Sequence, residues 1–97
     1  MRTMLRWSVP AAAGNRSITD GSMQKSIETM MAELKPEAAY FFAVDGRRGG
    51  LMVFDMADSS LIPLVAEPLF QAFEAKVELV PVMNAEDLQQ AFAKLAS

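Results

Sequence analysis

The chain has 97 residues, a formal charge of −3, no cysteine and no histidine. That length suits one domain over residues 1–97, with little surface to spare for burial unless subunits also pack together. The charge supplies no basic field for nucleic acid, and the missing residues remove disulfides, thiolate nucleophiles, zinc-thiolate sites, the commonest general base and the commonest transition-metal ligand. Any chemistry must therefore come from Asp, Glu, Lys, Tyr, Ser or a bound group, and no motif for a cofactor or metal is present. Hydrophobic residues make up 52% of the chain, more than one small core usually absorbs, and the surplus implies a partner surface. No apolar run approaches a membrane span of about 20 residues, and no convincing signal-peptide core is found, so a cytoplasmic protein with no membrane partner is expected.

Arg2 to Val9 alternates Arg2, Met4, Arg6 and Ser8 on one side with Thr3, Leu5, Trp7 and Val9 on the other, the period of a strand ended by Pro10. Ala11 to Ser17 reads as a loop centred on Gly14-Asn15. A helix follows, starting between Asn15 and Ser22, with Met23, Ile27, Met30, Met31 and Leu34 along one stripe and Pro36 forbidding its continuation. The methionines are read as adaptable core filler, since nothing completes a soft-metal site.

Two apolar runs, Ala38 to Val44 and Leu51 to Met56, flank Asp45-Gly46-Arg47-Arg48-Gly49-Gly50 and read as a β-hairpin whose glycines serve the turn. Asp58-Ser59-Ser60 then caps a helix carrying Leu61, Leu64, Val65 and Leu69, with a break expected near Glu67 because of Pro68 and a short restart through Phe73. Ala75 to Met83 alternates as a last strand, which Pro81 sends to a sheet edge or a bulge. Asn84 caps a terminal amphipathic helix bearing Leu88, Phe92 and Leu95. The order β, α, β, β, α, β plus a helix is that of an α+β, ferredoxin-like domain: a four-stranded antiparallel sheet with its helices on one face.

Pairing Val44 with Leu51 sets Phe42 against Val53 and Tyr40 against Asp55, and the two faces of the sheet then sort by charge. Leu5, Trp7, Phe41, Phe54, Val77 and Leu79 form an uncharged, helix-covered face. Met4, Arg6, Ser8, Tyr40, Phe42, Val53, Asp55, Glu78 and Val80 form a second face, too apolar to be wet and too charged for plain core. In one reading that face packs on its copy in a homodimer, with Arg6, Asp55 and Glu78 paired because a lone buried charge is costly. In the other the same residues line a ligand cavity, Arg6 orienting an anion or carbonyl and Asp55 or Glu78 acting as base, with Tyr40 opposite Asp55 the most suggestive pair.

Three stretches carry a resemblance: Trp7-Ser8-Val9-Pro10 with Gly14, Met52-Val53-Phe54-Asp55 with Asp58, and Glu67 through Phe73. Through them the chain, from Thr3 to Met83, is similar to the dimeric α+β barrel superfamily, whose small members include antibiotic-biosynthesis-monooxygenase-like and muconolactone-isomerase-like proteins. The resemblance implies two sheets facing each other across a two-fold axis, with small hydrophobic molecules bound on one subunit's side of the barrel. It leaves open a ligand-binding or structural dimer and a cofactor-independent isomerase or monooxygenase using Arg6, Tyr40, Asp55 and possibly Glu78. An RNA-recognition domain shares the element order, but Arg48-Gly49-Gly50-Leu51-Met52-Val53-Phe54-Asp55 lacks the aromatics its third strand stacks on bases.

Overall fold

A computed structural model describes residues 1–97. Strand β1 (Arg2–Val9) leads into helices α1 (Ala11–Thr19) and α2 (Ser22–Leu34), strands β2 (Ala38–Val44) and β3 (Arg47–Asp55), a 3₁₀ turn at Ser59–Leu61, helix α3 (Ile62–Phe73), strand β4 (Lys76–Pro81) and helix α4 (Ala85–Ala96). The strands form one antiparallel sheet in the order β2-β3-β1-β4. This is the expected ferredoxin-like α+β arrangement, and Pro81 ends an edge strand as foreseen.

The residues of one sheet face make the core. Leu5 and Met52 are fully buried, Thr3, Trp7, Val9 and Phe54 nearly so, and α2 and α3 cover them with Met23, Ala66, Leu69 and Phe73. Phe41 belongs to this face but lies beyond the helices' cover, half exposed, with its ring edge-on to Trp7 at 6.1 Å.

Three local expectations are corrected. Residues 11–19 are helical, not a loop: α1 starts directly after Pro10, which caps it, and stops at Asp20-Gly21. Its inward side is Ala13, Gly14 and Ser17, so its signature is small residues packed close, not the large apolar stripe by which helices are usually read. The Arg48 guanidinium lies over Gly14 and donates to Asn15 Oδ1 at 3.1 Å. Helix α3 runs unbroken through Pro68. That proline sits on the exposed side, and Leu64, whose carbonyl loses its donor, is also exposed, so water can satisfy the freed group.

The third correction concerns the hairpin. Its loop is only Asp45-Gly46, with φ of 53° and 72°, the two positive values a type I′ turn requires. Val44 therefore faces Arg47, Phe42 faces Gly49 and Tyr40 faces Leu51, four residues from the expected register. Gly49 and Gly50 lie within β3, not in the turn. Because the shift is even, every side chain keeps its face even though every partner changes.

Helix α4 stands apart. It has no buried residue, and the molecule measures 56 Å in its longest dimension. The radius of gyration of 15.4 Å exceeds the roughly 12.5 Å of a compact chain this size.

Candidate functional site

The face of the sheet turned away from α1, α2 and α3 presents its side chains in rows across the strands. Ala38, Val53, Met4 and Val80 form one row, Tyr40, Leu51, Arg6 and Glu78 the next, and Phe42, Gly49, Ser8 and Lys76 a third. This is the mixed face expected from alternation. Leu51 and Lys76 also belong to it beyond the residues expected there, each two residues from Val53 or Glu78, the spacing that returns a strand to the same face.

Gly49 leaves a gap in the third row. Across it the Arg6 guanidinium reaches the ring of Phe42, its carbon 5.9 Å from the ring centre. Arg6 is exposed and makes no ion pair, although Glu78 is its neighbour on β4. Beside it a hollow of about 370 Å³ opens toward the hairpin, lined by Arg6, Ser8, Val44, Asp45, Arg47, Lys76 and Glu78 with the backbone side of Trp7. Three cationic groups and two anionic ones border it, so the hollow is locally positive in a chain of net charge −3.

The four candidate catalytic residues do not converge. Arg6 and Glu78 are cross-strand neighbours, but Tyr40 lies three strands from Glu78, about 14 Å at ordinary strand spacing. The expected Tyr40–Asp55 pair does not form, because the two-residue turn sets Tyr40 opposite Leu51. Asp55 is instead opposite Arg2, and its Oδ1 accepts from the Met1 ammonium at 2.6 Å. That hydrogen bond, then the charge of the ammonium, holds the Asp55 carboxyl below the usual carboxylate range. A carboxylate kept ionised in this way is a poor proton acceptor at neutral pH.

Elsewhere, Arg2 donates from Nε to Glu37 at 2.6 Å and from Nη1 to Asp87, and the Glu37 contact leads the causes that hold its pKa above the ordinary value. Asp58 accepts from the Ser60 hydroxyl and, at 2.8 Å, from the Ser60 amide. Asp20 accepts from the Ser22 amide at 2.8 Å. Hydrogen bonds from these serines lower both aspartates.

Asp20, Asp55 and Asp58 all have folded pKa values below their unfolded ones. Each contributes stability that is present above the unfolded value of about 4 and is lost as pH falls through the folded value. The thermal midpoint is therefore expected to hold from pH 7 to pH 5 and to drop between pH 4 and pH 2. In Asp55→Asn that drop should be shallower, and an equal slope in the two proteins would contradict the role given to Asp55.

A second concavity lies on the opposite side, between α2 and α3. It measures about 480 Å³ and is lined chiefly by Met30, Leu34, Leu61, Leu64, Val65 and Phe73, with Lys25 and Glu33 at its rim. Sequence periodicity puts Met30 and Leu34 on the apolar stripe of one helix and Leu61, Leu64 and Val65 on that of the other, and Phe73 joins them from the end of α3.

No group of three or more acidic, histidine or cysteine side chains gathers where it could hold a metal ion. No helix is long and apolar enough to cross a membrane. The model of a family described as a domain of unknown function, DUF3303, matches residues 1–96. The chain belongs to the DUF3303 family. Comparison with curated proteins gives no match. Family membership thus assigns no chemistry to the open face, and its reading rests on the geometry of Arg6, Phe42 and the hollow beside them.

Proposed function

We propose that this DUF3303 protein is a homodimer of the dimeric α+β barrel type, related to the antibiotic-biosynthesis-monooxygenase-like and muconolactone-isomerase-like proteins. It pairs through the open sheet face and holds a small, mainly hydrophobic ligand there. The observation that carries this reading is Arg6: a guanidinium with no ion pair, standing between Leu51 and Glu78 in its row, set over the Phe42 ring and beside a hollow. A second sheet laid over this face would remove water from Met4, Tyr40, Phe42, Leu51, Val53 and Val80, while Arg6 and Glu78 would need a polar partner once desolvated. A ligand with an apolar body and one carbonyl or anionic end answers both needs, its body on Phe42 and Leu51 and its polar end at Arg6 and Lys76.

Two measurements test this. Sedimentation should show a dimer that Phe42→Lys and Val53→Lys each weaken by at least ten-fold, and assembly unaffected by either would sink the face-to-face pairing. As a ligand probe, 8-anilinonaphthalene-1-sulfonate combines an aromatic body with one anionic group. The native protein should bind it with enhanced fluorescence and Arg6→Ala should bind it about ten-fold more weakly. Equal binding by the two proteins would remove Arg6 from the site.

A further inference from the structure

Helix α4 is amphipathic and has no buried residue. Leu88, Phe92 and Leu95, at i, i+4 and i+7, lie along one side and are 38%, 52% and 80% exposed. Only its first turn is fixed: the Asn84 side chain accepts from the Asp87 amide at 2.8 Å, the Asp87 carboxylate accepts from the Asn84 amide at 3.1 Å, and Arg2 binds the same carboxylate. A twelve-residue helix is marginal in water by itself, so its later turns need a packing surface to persist.

We propose that α4 is an arm exchanged between two copies of this chain, its Leu88, Phe92 and Leu95 stripe seated on the second copy. This rests on the pairing of open faces proposed above. The direction of the arm fits that pairing. Arg2 alternates onto the same side of β1 as Met4 and Arg6, and from there its guanidinium holds Asp87, so α4 springs from the side on which a second sheet would lie. The area fits as well. Four strands of about eight residues span a flat footprint of roughly 500 Å², and a stable specific interface buries about 800 Å² of accessible surface per partner. An arm of twelve residues is about 18 Å long and about 10 Å wide. Donating one such arm and receiving another adds about 360 Å² of footprint to each copy's share of the interface. Because each copy gives what it receives, the exchange closes on a two-fold axis and leaves no free arm to propagate.

The test uses the whole 97-residue chain. Hydrogen exchange of the α4 amides from Gln89 to Ala96 should slow at least ten-fold at protein concentrations where sedimentation shows the dimer, relative to concentrations where it shows monomer. The same chain with Leu88→Glu/Phe92→Glu, which alters no buried residue, should keep the native thermal midpoint of the monomer and weaken dimerisation about 100-fold. Unprotected α4 amides in a demonstrated dimer would overturn the exchange, as would a charged-stripe variant that dimerises like the native chain. Slow exchange of these amides in the monomer would also overturn it, since α4 would then be folded onto its own chain. The pairing of open faces is judged separately: if Phe42→Lys and Val53→Lys dissociate the dimer while α4 stays unprotected, the faces pair without the arm. If α4 is protected in a dimer that those two variants leave intact, the face-to-face pairing fails and the arm alone joins the copies.

Discussion

Gly50→Ala is expected to destabilise the fold by about 1–3 kcal/mol, the usual cost of overfilling a packed site. Gly50 lies opposite Trp7 on β1 and opposite Phe41 on β2. A methyl group there would come within 2.6 Å of Trp7 Cζ2, 2.7 Å of Cη2 and 3.1 Å of Phe41 Cδ1. The Trp7 indole is almost fully buried beneath the helices and has no free space to retreat into. Gly50 is therefore a seat for the indole, not a turn residue. The check is a double-mutant cycle in urea: in a Trp7→Leu background the ring atoms are gone, and the cost of Gly50→Ala should fall to within about 0.5 kcal/mol of zero. The same cost in both backgrounds would place the strain elsewhere.

Leu5→Ala should be more damaging, about 2–5 kcal/mol, because a fully buried leucine leaves a cavity that the surrounding strands cannot close. Leu5 sits between Met52 on β3 and Leu79 on β4, at the crossing of two strand pairs. Since domains of this size are stable by only about 5–15 kcal/mol in all, the urea midpoint should fall by about a third at the middle of both ranges, with an unchanged slope. Met4→Ala, one residue along and on the open face, should cost the monomer well under half as much. Its full cost should appear only at concentrations where the open face is covered. A Met4→Ala penalty that matched Leu5→Ala in dilute monomer would contradict the division of the sheet into one covered and one open face.

That division connects stability with function. The side of β1 that carries Leu5 and Trp7 is filled by α2 and α3, whereas the side that carries Met4 and Arg6 keeps large apolar groups and an unpaired guanidinium in contact with water. The monomer core does not require Arg6, Phe42 or Leu51, so these residues are free to serve a ligand or a partner. Asp55, by contrast, is engaged at the chain terminus and tethers the start of β1. Among the acidic candidates, Glu78 is the one that stands beside Arg6.

Much of this was determined by the sequence by itself. Alternation from Arg2 to Val9 and the apolar run from Ala38 to Val44 gave both strands with their observed limits, and the order of elements gave the ferredoxin-like sheet. The membership of the two faces was also legible, because a strand's side-chain period is two and an even error in register cannot change it. Partners were not legible. The connection can be all of Asp45 to Gly50 or Asp45-Gly46 alone; in the structure Gly49 and Gly50 pair within β3, Gly50 beneath the Trp7 indole, and the turn is the two-residue one. That choice moved Tyr40 away from Asp55 and set Phe42 across Gly49 within reach of Arg6. Helix α1 was hidden because its buried side is made of small residues, and Pro68 was misread because its cost depends on whether the freed carbonyl meets water. The freedom of α4 could not be read at all. Its apolar spacing specifies an amphipathic helix, but whether that stripe finds a surface within its own chain depends on where β4 ends and where Arg2 holds Asp87, contacts made by residues more than eighty positions apart in the chain.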